Sequence, residues 1–315
     1  MAAVPVIDLC APGSPRAIDA ACRDNGFFYV VGHGVDPALP ARVDALAREF
    51  FALSDGEKEA MAMARGGRAW RGWFPVGGEL TSGVPDGKEG VYFGAELGPD
   101  HPLVAAGVPL HGANLFPERP AALRAAVLEY LDAMTALGHR LAGAIGLALG
   151  LDDGWFARTL TADPTILFRI FRYPPAVDAP WGVGEHTDYG LLTILHQDDS
   201  GGLEVRTPDG WLPAPPIPDS FVCNLGDMLE RMTGGRYRST PHRVRPTGDS
   251  ERISLAFFFD PSWDAAVAPI PGVEPIDDGA TDRWDGTSVH AFTGTYGEYL
   301  LGKVAKVFPD LANWV

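Results

Sequence analysis

The chain has 315 residues, 46% apolar and 21% charged, an ordinary globular composition that excludes a fibre or a wholly disordered polypeptide. Its 41 acidic and 25 basic residues leave a formal charge of −16. A surface that acidic repels phosphate backbones and anionic lipid, so nucleic acid and membrane surfaces are not expected partners, although a local basic pocket can still hold a small carboxylate. Cys10, Cys22 and Cys223 are too few for a disulfide framework and form no CxxC pair, which points to a reducing compartment, taken here as the cytoplasm. The N-terminus lacks a basic segment followed by an apolar run. The longest greasy stretch, residues 134–151, is interrupted by Gly138, His139 and Arg140, so neither a signal peptide nor a membrane span is expected.

In chain order, residues 4–9 predict a short strand, residues 14–25 a helix, and residues 26–31, rich in aromatic and β-branched side chains, a second strand. Residues 40–53 carry Val43, Leu46, Phe50, Phe51 and Leu53 at helical spacing. Residues 65–95 are rich in Gly and Trp and predict loop or irregular strand. A long helix is predicted over 121–149, with Leu123, Val127, Tyr130, Leu131, Met134, Leu137, Leu141 and Ile145 in its apolar stripe and Pro120 and Gly150 as punctuation. After Pro164, short β-type runs follow at 165–173, 191–196, 203–206, 220–225, 242–245 and 252–259, with turn signals between them. This pattern suggests a barrel or sandwich. Residues 293–307 read as helix again. The expected organisation is a mixed N-terminal region over 1–120, a supporting helix and connection over 121–163, a β core over 164–265 and a C-terminal segment over 266–315, all in one structural unit.

Three short segments carry the candidate chemistry. In His186-Thr-Asp188, residues i and i+2 of an extended segment share a face, which puts an imidazole beside a carboxylate. Alone, such a triplet is more often a capping or surface feature. His242 lies 54 residues after Asp188 and would complete two imidazoles and one carboxylate, a donor set that leaves three positions open on octahedral Fe(II). In Arg252-Ile-Ser254, ten residues further on, a guanidinium and a hydroxyl share a face while Ile253, Leu255 and Phe257 point the other way. That pair suits a carboxylate clamp, because an inward arginine without an anion would leave a buried charge uncompensated.

The order HxD, then His, then RxS resembles that of the iron(II)/2-oxoglutarate-dependent dioxygenases of the isopenicillin N synthase-like family. The likeness extends to PVIDL (Pro5 to Leu9), DNGFFYVVGHGV (Asp24 to Val35), FRYPP (Phe171 to Pro175), HTDYGLLTIL, GGLEV and RISLAFFF, and so runs through nearly the whole chain. The resemblance implies an α+β fold, mainly β, with a double-stranded β-helix (jelly roll) core and a long helix packed against it. It implies His186, Asp188 and His242 as ligands of Fe(II). It assigns Arg252 and Ser254, helped by Tyr173, to the far carboxylate of the cosubstrate 2-oxoglutarate, and O2 to the remaining iron position. Asn224 falls where a polar residue is common near the site, in a cosubstrate-binding or a structural role. Many plant members have asparagine two residues before the tyrosine; here that residue is Phe171.

The implied activity is oxidation, hydroxylation by default, of a small-molecule substrate, with 2-oxoglutarate converted to succinate and CO2. The alternative is an Fe(II) oxidase that needs no 2-oxoglutarate and performs cyclisation or desaturation. A barrel that binds without turnover is a third reading. No catalytic residue beyond the metal ligands is expected. Substrate contacts are expected from Arg71, Phe171 and Phe259. Arg71 could equally serve a surface ion pair, and Trp70 and Trp73 favour packing. Asp8, His33 and His196 read as structural, and His101, His111, His139 and His290 have no partner at ligand spacing. Monomer and homodimer both remain open.

Overall fold

The computed structural model describes residues 3–81, 83–175, 179–245, 250–276 and 292–307. In chain order its strands are β1 (Val6–Asp8), β2 (Phe27–Val31), β3 (Gly72–Phe74), β4 (Leu80–Thr81), β5 (Val84–Pro85), β6 (Glu89–Gly94), β7 (Pro164–Tyr173), β8 (Val183–His186), β9 (Leu192–Gln197), β10 (Leu203–Thr207), β11 (Gly210–Pro213), β12 (Phe221–Leu225), β13 (His242–Val244) and β14 (Arg252–Ser262). The helices that matter to the site are α1 (Ser14–Asp24), α2 (Ala38–Phe51), α3 (Leu123–Ala148), α4 (Asp227–Met232) and α5 (Tyr296–Val307).

Eight strands form one sheet in the order β1-β2-β12-β9-β14-β7-β6-β3, and four form a second in the order β11-β10-β13-β8. The two sheets enclose a cavity, giving the jelly roll that the family resemblance implied. Strands from the first hundred residues flank the large sheet on both sides: β2 pairs with β12, and β6 with β7.

Side-chain alternation on β14 and β7 separates core from cavity. Ile253, Leu255, Phe257 and Phe259 are fully buried away from the cavity, while Arg252, Ser254, Ala256, Phe258 and Asp260 line it. On β7, Leu167, Arg169, Phe171 and Tyr173 line the cavity, and Phe168 turns to Tyr130 of α3, with ring centroids 4.8 Å apart. Gly138 lets α3 press onto the sheet: a Cβ there would stand 2.4 Å from the Phe259 ring. Each such fully buried aromatic contributes roughly 1.5–3 kcal/mol.

Two expectations need correction. Residues 65–95 contain β3 and β6, both integral to the large sheet. β6 is buried throughout, so it shows no alternation to be read. The short strands β8 and β11 were not foreseen, since each has only four residues and contains glycine. The C-terminal helix begins at Tyr296, and His290 lies outside the described residues.

Candidate functional site

His186 ends β8 and His242 opens β13, and the two residues are directly paired across the small sheet. Their ring centroids lie 4.3 Å apart. The backbone fixes both rings: His186 Nδ1 lies 2.8 Å from the Gly184 carbonyl and His242 Nδ1 3.2 Å from that of Thr240. An Nδ1–H donated to a carbonyl leaves the Nε2 lone pair free for a metal. Both Nε2 atoms face Asp188, each 3.9 Å from one carboxylate oxygen. One donor atom from each of the three residues falls within 4.8 Å of the others, the only such cluster among the described residues.

The large sheet holds the carboxylate in place. Asp188 Oδ2 accepts hydrogen bonds from Asn224 Nδ2 at 2.6 Å and from the Thr193 hydroxyl. Asn224 thus bonds the carboxylate and also lines the cavity. Burial alone would raise the Asp188 carboxyl. The imidazoles of His242 and His186, with the hydrogen bonds from Asn224 and Thr193, outweigh that effect and hold it below the usual carboxylate range. Burial, reinforced by the neighbouring His186, lowers His242 to about 4. Both shifts favour the ionised aspartate and the neutral imidazole, the forms that bind a cation. The donor set, two imidazole nitrogens and one carboxylate on one face, fits ferrous iron.

The cavity beside the cluster has a volume of about 550 Å³. Arg252 is buried in its wall. Nε donates to the Gly201 carbonyl at 2.7 Å, and the guanidinium lies 4.6 Å from the Tyr173 ring centroid. Both terminal nitrogens lack a hydrogen-bond partner among the described residues. A buried, charged fork with two idle donors calls for an anion. Ser254 and Tyr173 border the same space, a set that fits a dicarboxylic cosubstrate.

Phe171 lines the cavity, but two expected contacts lie elsewhere. Phe259 has the parity of Phe257 and packs against His139, with ring centroids 4.9 Å apart; Phe258 takes the cavity position instead. Arg71 is buried beside a separate small cavity and donates to the Leu110 carbonyl at 2.9 Å. Trp70 and Trp73 are core residues, and the Trp73 indole donates to Glu89 at 2.9 Å. His33 bonds backbone groups of Val35 and Asp219, and Asp8 accepts the Cys10 amide. Sequence reasoning missed five charged residues that line the cavity: Glu79, Lys88, Arg169, Asp260 and Lys303. Arg169 and Asp260 share the parity of Tyr173 and Arg252, a signal that was present in the strands.

Residues 164–261 match the 2OG-Fe(II) oxygenase superfamily, and residues 4–119 match the family described as non-haem dioxygenase in morphine synthesis N-terminal. The chain is 46% identical to a probable iron/ascorbate oxidoreductase of Dictyostelium discoideum, covering 98% of this chain and 96% of the relative. It is 35% identical to a 1-aminocyclopropane-1-carboxylate oxidase of Dictyostelium mucoroides (94% and 90% covered) and 36% identical to a homoarginine-6-hydroxylase of Glycine max (94% and 89%). The crystal structure of a full-length Neurospora crassa protein in complex with alpha-KG and thymine superposes with a TM-score of 0.79 at 25% identity, covering 96% of each chain. No helix among the described residues is long and apolar enough to cross a membrane.

Proposed function

Because the chain belongs to the 2OG-Fe(II) oxygenase superfamily, as an isopenicillin N synthase-like iron(II)/2-oxoglutarate-dependent dioxygenase, we propose that His186, Asp188 and His242 hold its ferrous ion and that it hydroxylates a small molecule. Iron, dioxygen and 2-oxoglutarate together supply the oxidising power, with succinate and CO2 as co-products.

The protein's own part is positional. Nε2 of each histidine and one oxygen of Asp188 face a common point, and Asn224 and Thr193 keep the carboxylate from rotating away. Arg252, held by Gly201 and the Tyr173 ring, offers two N–H groups to the far carboxylate of 2-oxoglutarate, beside the hydroxyls of Ser254 and Tyr173. The remaining cavity, walled by Phe171, Phe258 and Leu195, receives the substrate against the open side of the metal and keeps water from it. The observation that carries this reading is the unpartnered Arg252 fork on the wall of the cavity that contains the three-donor cluster.

Hydroxylation draws support from the homoarginine-6-hydroxylase relatives, and a second reading, oxidation without 2-oxoglutarate, from the 1-aminocyclopropane-1-carboxylate oxidases. A succinate-release screen over amino acids, small peptides and secondary metabolites separates them. Hydroxylation predicts succinate and oxygenated product in equal amounts. Product formed under air without 2-oxoglutarate favours the oxidase, and no oxygen use with any compound favours a binding protein.

A further inference from the structure

The cavity holds more charge than iron and 2-oxoglutarate require. Most of it is matched internally. Lys88 pairs with Glu79 at 2.9 Å and with Asp86, and Lys303 pairs with Asp227 at 3.5 Å. Two groups are left with fewer partners than they can take, Arg169 on β7 and Asp260 on the neighbouring strand β14.

The first is Arg169, on the same inward row of β7 as Phe171 and Tyr173. Its guanidinium lies between two rings, 4.4 Å from the centroid of Tyr92 and 4.7 Å from that of Phe258. Its nearest carboxylate oxygen, on Glu79, is 3.7 Å away, too far for a hydrogen bond, and that oxygen already accepts the Tyr92 hydroxyl. Among the described residues Arg169 makes no hydrogen bond, and its Nε is buried without a partner. Aromatic faces hold a guanidinium flat with its N–H edge free, the geometry for receiving a carboxylate.

The second is Asp260, which is buried at the end of β14 and lines the cavity. One oxygen accepts the Leu191 amide at 3.0 Å and the other the Tyr296 hydroxyl at 2.5 Å. A carboxylate has about four acceptor positions, so two remain. No ion-pair partner reaches it among the described residues; burial, with the Asp188 carboxylate nearby, raises its carboxyl to about 7, against the lowering effects of Tyr296, the Leu191 amide and Arg169.

We infer that the primary substrate is a small zwitterion of the amino-acid class, its carboxylate on Arg169 and a cationic nitrogen on Asp260, with Phe258 beneath the carbon chain between them. This inference rests on the reading of the cavity as the oxygenase active site. It gives the missing acceptor to Arg169 and the missing counter-ion to Asp260 in one ligand, and it leaves Arg252 for 2-oxoglutarate.

The test is an anaerobic titration of the Fe(II)·2-oxoglutarate protein with a panel of α-amino acids, neutral, acidic and basic. Binding is read from the change in the visible metal-to-2-oxoglutarate charge-transfer band, so no turnover is needed. The expected result is that at least one amino acid binds. Its methyl ester should bind at least about tenfold more weakly, as should the analogue lacking one cationic nitrogen. Arg169→Gln should remove the dependence on the carboxylate, Arg169→Lys should restore part of it, and Asp260→Asn should remove only the dependence on the nitrogen. Each variant's own 2-oxoglutarate band reports that its site is intact. Three results overturn the inference: a normal band with no amino acid bound, esters that bind as well as the free acids, or variants whose selectivity matches wild type. A wild-type protein with no 2-oxoglutarate band contradicts the underlying oxygenase reading itself.

Discussion

At the metal end of the cavity, two donors come from a three-residue segment, His186 to Asp188, and the third from the residue paired across the sheet with the first. The other charged lining residues include Glu79 and Lys88 from the edges of β4 and β6, Arg169 from the middle of β7 and Asp260 from the end of β14. The metal end is stapled to backbone carbonyls and to Thr193 and Asn224, so its geometry is set before any ligand arrives. The other set keeps an idle donor at Arg169 Nε and, in Asp260, a buried carboxylate with no ion-pair partner among the described residues. On the proposed function, the first set holds a constant reagent and the second is where a particular substrate is chosen.

Changing one residue at a time can break or sharpen this contrast. Asp188→Ala is expected to cost more in iron affinity and turnover than the ~10–100-fold typical of outer supporting groups, with little change in Tm; retained turnover would remove Asp188 from the ligand set. Phe259→Ala belongs to neither end. It should lower stability in urea by about 3–5 kcal/mol while leaving the 2-oxoglutarate requirement unchanged. A changed requirement at full stability would return Phe259 to the site. Arg252→Ala removes a charged hydrogen-bonding group worth about 1.5–3 kcal/mol, so the 2-oxoglutarate concentration needed for half-maximal rate should rise ~10- to 150-fold. No change would place the clamp elsewhere. Asn224→Ala should weaken iron binding ~10- to 100-fold without altering the 2-oxoglutarate requirement of the iron-loaded protein; an effect on 2-oxoglutarate alone would make Asn224 a cosubstrate contact.

The smallest effect concerns pH. Burial keeps the folded-state His242 near 4 against its ordinary 6.5, so the unfolded chain takes up this proton first. The metal-free protein should therefore lose stability from this group as pH falls from about 6.5 to 4, with no further loss from it below that. His242→Gln should flatten that part of the Tm profile, and superimposable slopes would contradict the assignment.

The contrast also explains what could be read from sequence. The metal end lies in short motifs whose members share a face at spacing two, so His186, Asp188, Arg252 and Ser254 were all legible. The same rule, carried to the end of β14, puts Phe258 and Asp260 in the cavity and Phe259 against α3; the expectation of Phe259 as a contact ran against the alternation read for Arg252 and Ser254. Arg169 stands two residues from Phe171 in the same row, but its exceptional position shows only once the neighbouring rings of Tyr92 and Phe258 are in place. Arg71 follows Trp70, whose positive φ of 53° turns the chain and sends the arginine towards Leu110. No pattern of residue types in 68–74 announces that turn.

The most direct measurement adds 2-oxoglutarate to the Fe(II) protein under strict exclusion of oxygen and records the visible spectrum. The account predicts a weak charge-transfer band that saturates at one 2-oxoglutarate per chain and is lost in Asp188→Ala. Absence of the band in an iron-loaded, folded wild-type protein would contradict it.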